Sequence, residues 1–307
     1  MAREMALPDT WETWLIGFQA AQRAQGRSEK TRVAYGRELR LLAGVLLQRT
    51  PTLQPAEVTV NLLSITMADE AIMSTCRGTP RSPASLHRLK AATQGFFTWA
   101  CHSGYITENP ARQLQTQRLH RKPPAFLTDA EITSLRKVLQ GRTGDAVQRD
   151  RLILEVFLGT GIRLQELVDL KIEDVELEAK HLHIRSAKGG VPQVKFLHTR
   201  LRGLLRTYLK WRVRLGTESC SALFISQRGT RLSPRQIAYR LEHWLREASI
   251  DKPLTPHSLR HTFATRLYAR TNDLLVVQRA LGHRQIATTE IYTHLVDGVL
   301  EEALERL

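Results

Sequence analysis

"LTPHSLRHTFATRL", residues 254–267, reads as an amphipathic helix that carries much positive charge beside its buried side. Pro256 suits the first helical position, and Thr255 can cap it. Leu259, Phe263 and Leu267 recur every four residues and make one apolar stripe. His257 and Arg260 stand at i and i+3, so they share a face next to that stripe. Arg266 and Arg270 follow, and the segment itself has no acid to pair with them. A helix built this way brings imidazole and guanidinium groups to the border between a core and an open surface.

The whole chain has the same bias. Lysine and arginine number 45 against 30 aspartates and glutamates, a net charge of +15 over 307 residues. The hydrophobic fraction of 42% is that of an ordinary globular protein. A solvated surface does not require such an imbalance, so a polyanionic partner is expected, nucleic acid first. Ribosomal and anionic-membrane surfaces are the alternatives. Cys76, Cys101 and Cys220 are far apart and form no CxxC. They read as buried thiols in a reducing compartment. "MAREMALPDT" has no signal-type apolar core, and no run approaches the roughly 18 apolar residues of a membrane span. A soluble cytoplasmic protein without membrane association is expected.

Length favours two domains. The first 111 residues read as helices joined by short turns. One ends near Gly26, a second is capped by Ser28, and a fourth has Pro83 early and stops near Gly104. "TMADEAIMSTC" reads as the third, with Thr66 and Asp69 in a capping-box arrangement. Residues 112–125 have no hydrophobic period but carry Arg112, Arg118, Arg121, Lys122 and two prolines, which makes a basic linker. From 126 to 307 the texture changes. "LTDAEITSLRKVL" opens a helix with Thr128 as cap and Glu131 three residues on. The apolar stretch after it is interrupted at "GTG", residues 159–161. "HLHIRSAKGGVPQVKFLH" alternates on either side of "AKGG" and predicts a β-hairpin. Long helices follow at about 199–214 and 234–249, then the opening helix and shorter ones. The fold class is mainly α: a helical domain, a tether, and a mostly helical mixed α/β domain with a small antiparallel sheet.

Several groups in the second domain fall at element boundaries. Arg163 follows "TG" at a helix start, Lys188 sits at the hairpin tip, and His257 and Arg260 lie on the opening helix. His283 follows Gly282, which can end a helix in the left-handed conformation. Tyr292 lies on the next predicted helix. Singly, each is ordinary surface or packing, and His181 and His183 read as one face of a strand. His257 and His261 have metal-helix spacing, but Ser258 stands where an HExxH motif needs its base, so no metal is expected there. Together the groups make a plausible phosphoryl-transfer site. Arginine forks donate paired hydrogen bonds to the oxygens of a phosphodiester under attack. A phenol beside such charge is a feasible nucleophile, and a lysine on a hairpin can protonate the leaving oxygen. No cluster of Asp and Glu has the spacing to hold two magnesium ions, and no cofactor is expected.

The order "TGIRLQEL", "AKGG", "HSLRHTFAT", "LGH" and "TTEIYTH" resembles the tyrosine recombinase, or phage integrase, family. The resemblance spans about 126–300, and the helical first domain fits the family's core-binding domain more loosely. It implies that Arg163 and Arg260 are the catalytic arginines and that Lys188 protonates the leaving oxygen. His257 would assist proton transfer, His283 would hydrogen-bond the phosphate, and Glu166 would support the cationic groups. Tyr292 would be the nucleophile of a 3′-phosphotyrosine link. The implied partners are a double-stranded DNA recombination site and three further protomers, alike or paralogous, around a Holliday junction, with neither ATP nor metal. Length favours a two-domain, Xer-like member, for dimer resolution or for integration and excision of mobile DNA. In such proteins a C-terminal helix packs into the neighbour; "GVLEEALERL" has Val299, Leu300, Ala303 and Leu304 on one side, and could also fold back on its own chain. A non-catalytic DNA-binding protein of the same fold and a type IB topoisomerase are the competing readings.

Overall fold

The computed structural model describes residues 7–114, 124–185, 191–214 and 220–282. The chain divides into two compact units, residues 1–121 and 122–307, each with its own core.

The first unit is helical: α1 Asp9–Ala24, α2 Glu29–Arg49, α3 Val60–Met67, α4 Glu70–Met73 and α5 Pro83–His102. The two longest helices, α2 and α5, begin where a local cap fixes them. Ser28 Oγ accepts from the Thr31 N–H, and Ser82 Oγ from the Ser85 N–H. Trp11, Leu15 and Phe18 of α1 pack with Leu39, Leu42 and Leu46 of α2 and Phe96 and Phe97 of α5. The Trp11 indole N–H, which burial would otherwise orphan, donates to the Leu53 carbonyl at 2.9 Å. The predicted third helix is two. Thr66 is fully buried inside α3 and caps nothing, whereas Asp69 accepts from the Ala71 N–H and starts α4. The cysteines also differ from expectation: Cys76 is exposed, and Cys101 and Cys220 are partly exposed.

The second unit runs α6 Asp129–Gln140, α7 Asp145–Thr160, α8 Leu164–Asp169, β1 Val175–Glu176, β2 His181–Ile184, β3 Gln193–Phe196, α9 Thr199–Arg214, α10 Pro234–Glu247, α11 Pro256–Thr271 and α12 Leu274–Leu281. The strands form one antiparallel sheet in the order β1-β2-β3. The predicted hairpin is therefore present, with a short third strand added. Leu182 pairs with Lys195 and Ile184 with Gln193, so these four share the face turned to the core. α7 lies at the centre of the core, where Leu152, Val156 and Phe157 pack with Leu201 and Leu205 of α9 and Leu259 of α11. Among the described residues no helix is long and apolar enough to cross a membrane.

Candidate active site

The break after α7 builds the floor of the site. Thr160 Oγ1 turns back to the Val156 carbonyl, and Gly161 adopts a left-handed φ of +60°. A side chain at Gly161 would strike Phe263 of α11, whose ring carbon lies 2.3 Å from the Cβ position. Glycine is needed twice here, for the turn and for the close approach of α11 and α12. The turn leaves the Gly161 carbonyl outside any helical ladder, and Arg260 of α11 fills that vacancy.

Arg260 is 2% exposed. Its Nη1 donates to the Gly161 carbonyl at 2.7 Å, and its Nη2 donates to the Leu281 carbonyl, at the end of α12, at 2.8 Å. One planar fork thus ties the α7 break to the end of α12, which a point-like ammonium could not do. His257, three residues earlier, is exposed. Its ring meets that of His261 edge-on at 4.7 Å. The i, i+3 pair therefore has one member at the rim and one in the floor. Burial, and then the charges of His257 and Arg260, push the His261 imidazole down to about 4, so it is neutral near pH 7. The acid missing from the opening segment is supplied by another element: Arg266 pairs with Asp129 at 2.7 Å.

Arg163 stands at the N-terminus of α8. Its backbone N–H donates to Glu166 Oε2 at 2.9 Å, and its Nη1 donates to Glu166 Oε1 at 2.7 Å. Glu166 is 3% exposed. Burial pushes its carboxyl up, but the Arg163 hydrogen bonds and the charges of Arg163 and Arg260 outweigh this and hold it below the usual glutamate value. Glu166 is thus an ionised acceptor for Arg163 and a counter-charge that Arg260 also feels.

Of the sequence-predicted residues, Arg163, Glu166 and Arg260 lie together, with His257 on the same helix at the surface. Lys188, His283 and Tyr292 lie outside the described residues. Lys195 was not among the predicted residues. It is 5% exposed on β3, within electrostatic reach of Arg260, Glu166 and Arg163. Its signal was available: strict alternation places it on the same face as Leu182 and Ile184, an inward position that a lysine does not occupy without a reason. His181 and His183 do share a face of β2. With Glu176 across the ladder they bring ligand atoms within 4.8 Å of one another, on the face turned away from Lys195.

Residues 125–298 match the model of the phage integrase family. The chain belongs to that family, the tyrosine recombinases. It is 33% identical over 280 residues to tyrosine recombinase XerD of Pseudomonas putida, covering 91% of each protein. It is 34% identical over 278 residues to XerC of Mycobacterium sp. (strain JLS), covering 88% of this chain and 90% of that one. The match to XerC of Vibrio vulnificus (strain YJ016), 35% identical over 212 residues, spans 66% of that relative's length. Among solved structures, XerA recombinase aligns over 96% of this chain and 98% of its own at 27% identity and a TM-score of 0.54. XerH recombinase in a post-cleavage complex with its difH substrate aligns over 92% and 81% at 23% identity and a TM-score of 0.74, a likeness of fold. This tyrosine recombinase is accordingly an enzyme of DNA strand cleavage and rejoining, with the mostly helical fold and small antiparallel sheet that its motifs led us to expect.

Proposed function

We propose that the chain is a site-specific DNA recombinase of the two-domain, Xer-like kind, in which Tyr292 attacks the scissile phosphate and keeps its bond energy as a 3′-phosphotyrosine ester. Arg163 and Arg260 hold the non-bridging oxygens, where negative charge gathers as the phosphorus becomes five-coordinate. Glu166 fixes the Arg163 fork and balances the two cations. His257, at the rim, assists proton transfer at the phosphate, and His283 adds a hydrogen bond to it. Lys188 protonates the departing 5′ oxygen. A 5′-hydroxyl from the partner duplex then attacks the ester, so the cycle needs neither ATP nor metal. Four protomers exchange strands in pairs through a Holliday junction, each handing its C-terminal helix to a neighbour. The helical first unit, joined by the basic linker of residues 112–125, completes the grip on the duplex.

The observation that carries this reading is the convergence of Arg163 and Arg260, far apart in sequence, on the one buried carboxylate of Glu166. The test is covalent capture. Wild-type protein incubated with nicked DNA fragments, in the presence of a chelator, is expected to become covalently joined to DNA through a tyrosine. Tyr292→Phe is expected to bind with nearly unchanged affinity and to form no adduct. An adduct that persists in Tyr292→Phe overturns the nucleophile assignment. Sequencing the captured DNA separates dimer resolution from mobility of an element, since the two processes share the chemistry and differ in the site.

A further inference from the structure

Three consecutive carbonyls at the end of α12 accept hydrogen bonds from side chains of other elements. Lys195 Nζ donates to the Ala280 carbonyl. Arg260 Nη2 donates to the Leu281 carbonyl at 2.8 Å, and Gln193 Nε2 donates to the Gly282 carbonyl at 3.4 Å. The last carbonyls of a helix have no partner inside it, and that end carries the negative pole of the helix dipole, so cations are doubly favoured there. Gly282 takes a left-handed φ of +66°, and a Cβ there would lie 2.2 Å from the Gln193 amide, so β3 presses directly on the helix end.

Two of the three donors come from β3, the strand that follows Lys188 in the sequence. The third is the arginine in the floor of the site. The next residue along the chain is His283, and Tyr292 lies further along the same segment. Resting on the recombinase reading, we infer that Lys195 and Gln193 are positioning residues: they latch the end of α12 to the catalytic hairpin and to Arg260, and so fix the point from which the chain runs on to His283 and Tyr292. A fold that sought stability alone would fill the Lys195 site with an apolar side chain, because a buried amine costs desolvation that methionine avoids. Around the amine stand Arg260 of α11, Arg163 before α8 and Glu166 of α8. Burial first, then the Arg260 charge, push the amine down to about 8, Glu166 opposes them, and Arg163 adds to the push.

The latch is tested without DNA first. Hydrogen exchange of full-length protein, read on peptides covering 274–282, is expected to quicken about tenfold in Lys195→Met and in Gln193→Leu. Lys195→Met is expected to melt at the same or a higher temperature near pH 7. Because the folded pKa lies below the unfolded value of 10.5, the wild-type penalty is complete below about pH 8 and fades as pH rises to 10.5. The gain in melting temperature therefore shrinks over that window. Adduct formation on a random-sequence pool of nicked duplexes is expected to slow about 100-fold with pool affinity unchanged. The deficit is expected to narrow between about pH 7 and pH 9.5, as the wild-type amine loses its charge. Unchanged exchange in both variants overturns the latch, and faster exchange with undiminished adduct formation overturns the positioning role. Absence of an adduct with the wild type as well overturns the recombinase reading, while the exchange data still decide the latch.

Discussion

Arg260 performs two jobs with one side chain, and the two can be separated by substitution. Its fork closes the floor by holding the Gly161 and Leu281 carbonyls, and it sets the field around Glu166 and Lys195. In Arg260→Lys the charge survives, but a single ammonium cannot reach both carbonyls in the geometry of a planar fork. At least one buried acceptor loses its partner, which costs about 1–3 kcal/mol of stability. Loss of a preorganised donor at the phosphate costs about 100- to 1,000-fold in rate. Arg260→Lys is therefore expected to lower the melting temperature and to cut the single-turnover rate of adduct formation by at least about 100-fold. A variant that keeps the wild-type rate would show that only the charge at residue 260 matters. The sequence pointed to Arg163, His257 and Arg260 because each sits beside a local signal, a glycine break or a helix start, and to Glu166 only through the family resemblance. Lys195 has no glycine break or helix start beside it, only the alternation of a strand. Its importance comes from what a strand register brings next to it.

At the scale of elements, the breaks between helices matter as much as the helices. Gly161 and Gly282 are both left-handed, and both lie where another element comes too close for a side chain. Substituting alanine at Gly161 combines the left-handed penalty of about 1–2 kcal/mol with overpacking against Phe263 of about 1–3 kcal/mol. Gly161→Ala is thus expected to destabilise the chain by about 2–5 kcal/mol, read as a lower melting temperature, with adduct formation slowed because the Gly161 carbonyl moves away from Arg260. Gly203→Ala is the control. That glycine is exposed on α9 with nothing within 4 Å of the added Cβ, and the change is expected to stabilise by about 0.5–1 kcal/mol. If both variants melt alike, Gly161 is an ordinary turn residue. The same contrast explains what could be read in advance. Caps such as Ser28 and Thr128 act on groups three residues away, so the sequence reveals them. The start of α3 has the same kind of cap, for Thr59 Oγ1 accepts from the Leu62 N–H, but the two-residue β1 could not be read so, because it depends on cross-strand pairing that no local pattern encodes. Thr66 imitates a cap in sequence and is buried in α3.

At the scale of the whole molecule, the two cores and the excess of positive charge play separate roles. Each unit buries its own apolar cluster, which fixes the fold and says nothing about the ligand. The net charge of +15 does say something, because the buried acids are consumed inside the protein. Glu38 is held by Arg81 and Arg88, Asp150 by Arg149, Arg240 and the Trp244 indole, and Glu155 by Arg136 and Arg200. Carboxylates spent in such nodes cannot neutralise the remaining surface lysines and arginines, so the field outside the molecule stays positive. A protein that grips a duplex with this surface releases condensed counterions for every phosphate it neutralises. The logarithm of its affinity then falls linearly with the logarithm of salt concentration. For random-sequence duplex DNA, affinity is expected to drop by about 1,000-fold or more between about 50 and 200 mM salt, as for a protein with six or more phosphate contacts. The pace of adduct formation at saturating DNA is expected to change much less, because Arg163 and Arg260, which we propose hold the scissile phosphate, are half-buried and buried and are screened far less than the surface. Fluorescence anisotropy for binding and single-turnover capture for chemistry separate the two responses. A shallow salt dependence of binding would mean that the excess charge serves something other than the DNA backbone. A steep dependence of the chemical step would place the arginines in open solvent, contrary to the pocket that Gly161, Glu166 and the end of α12 build around them.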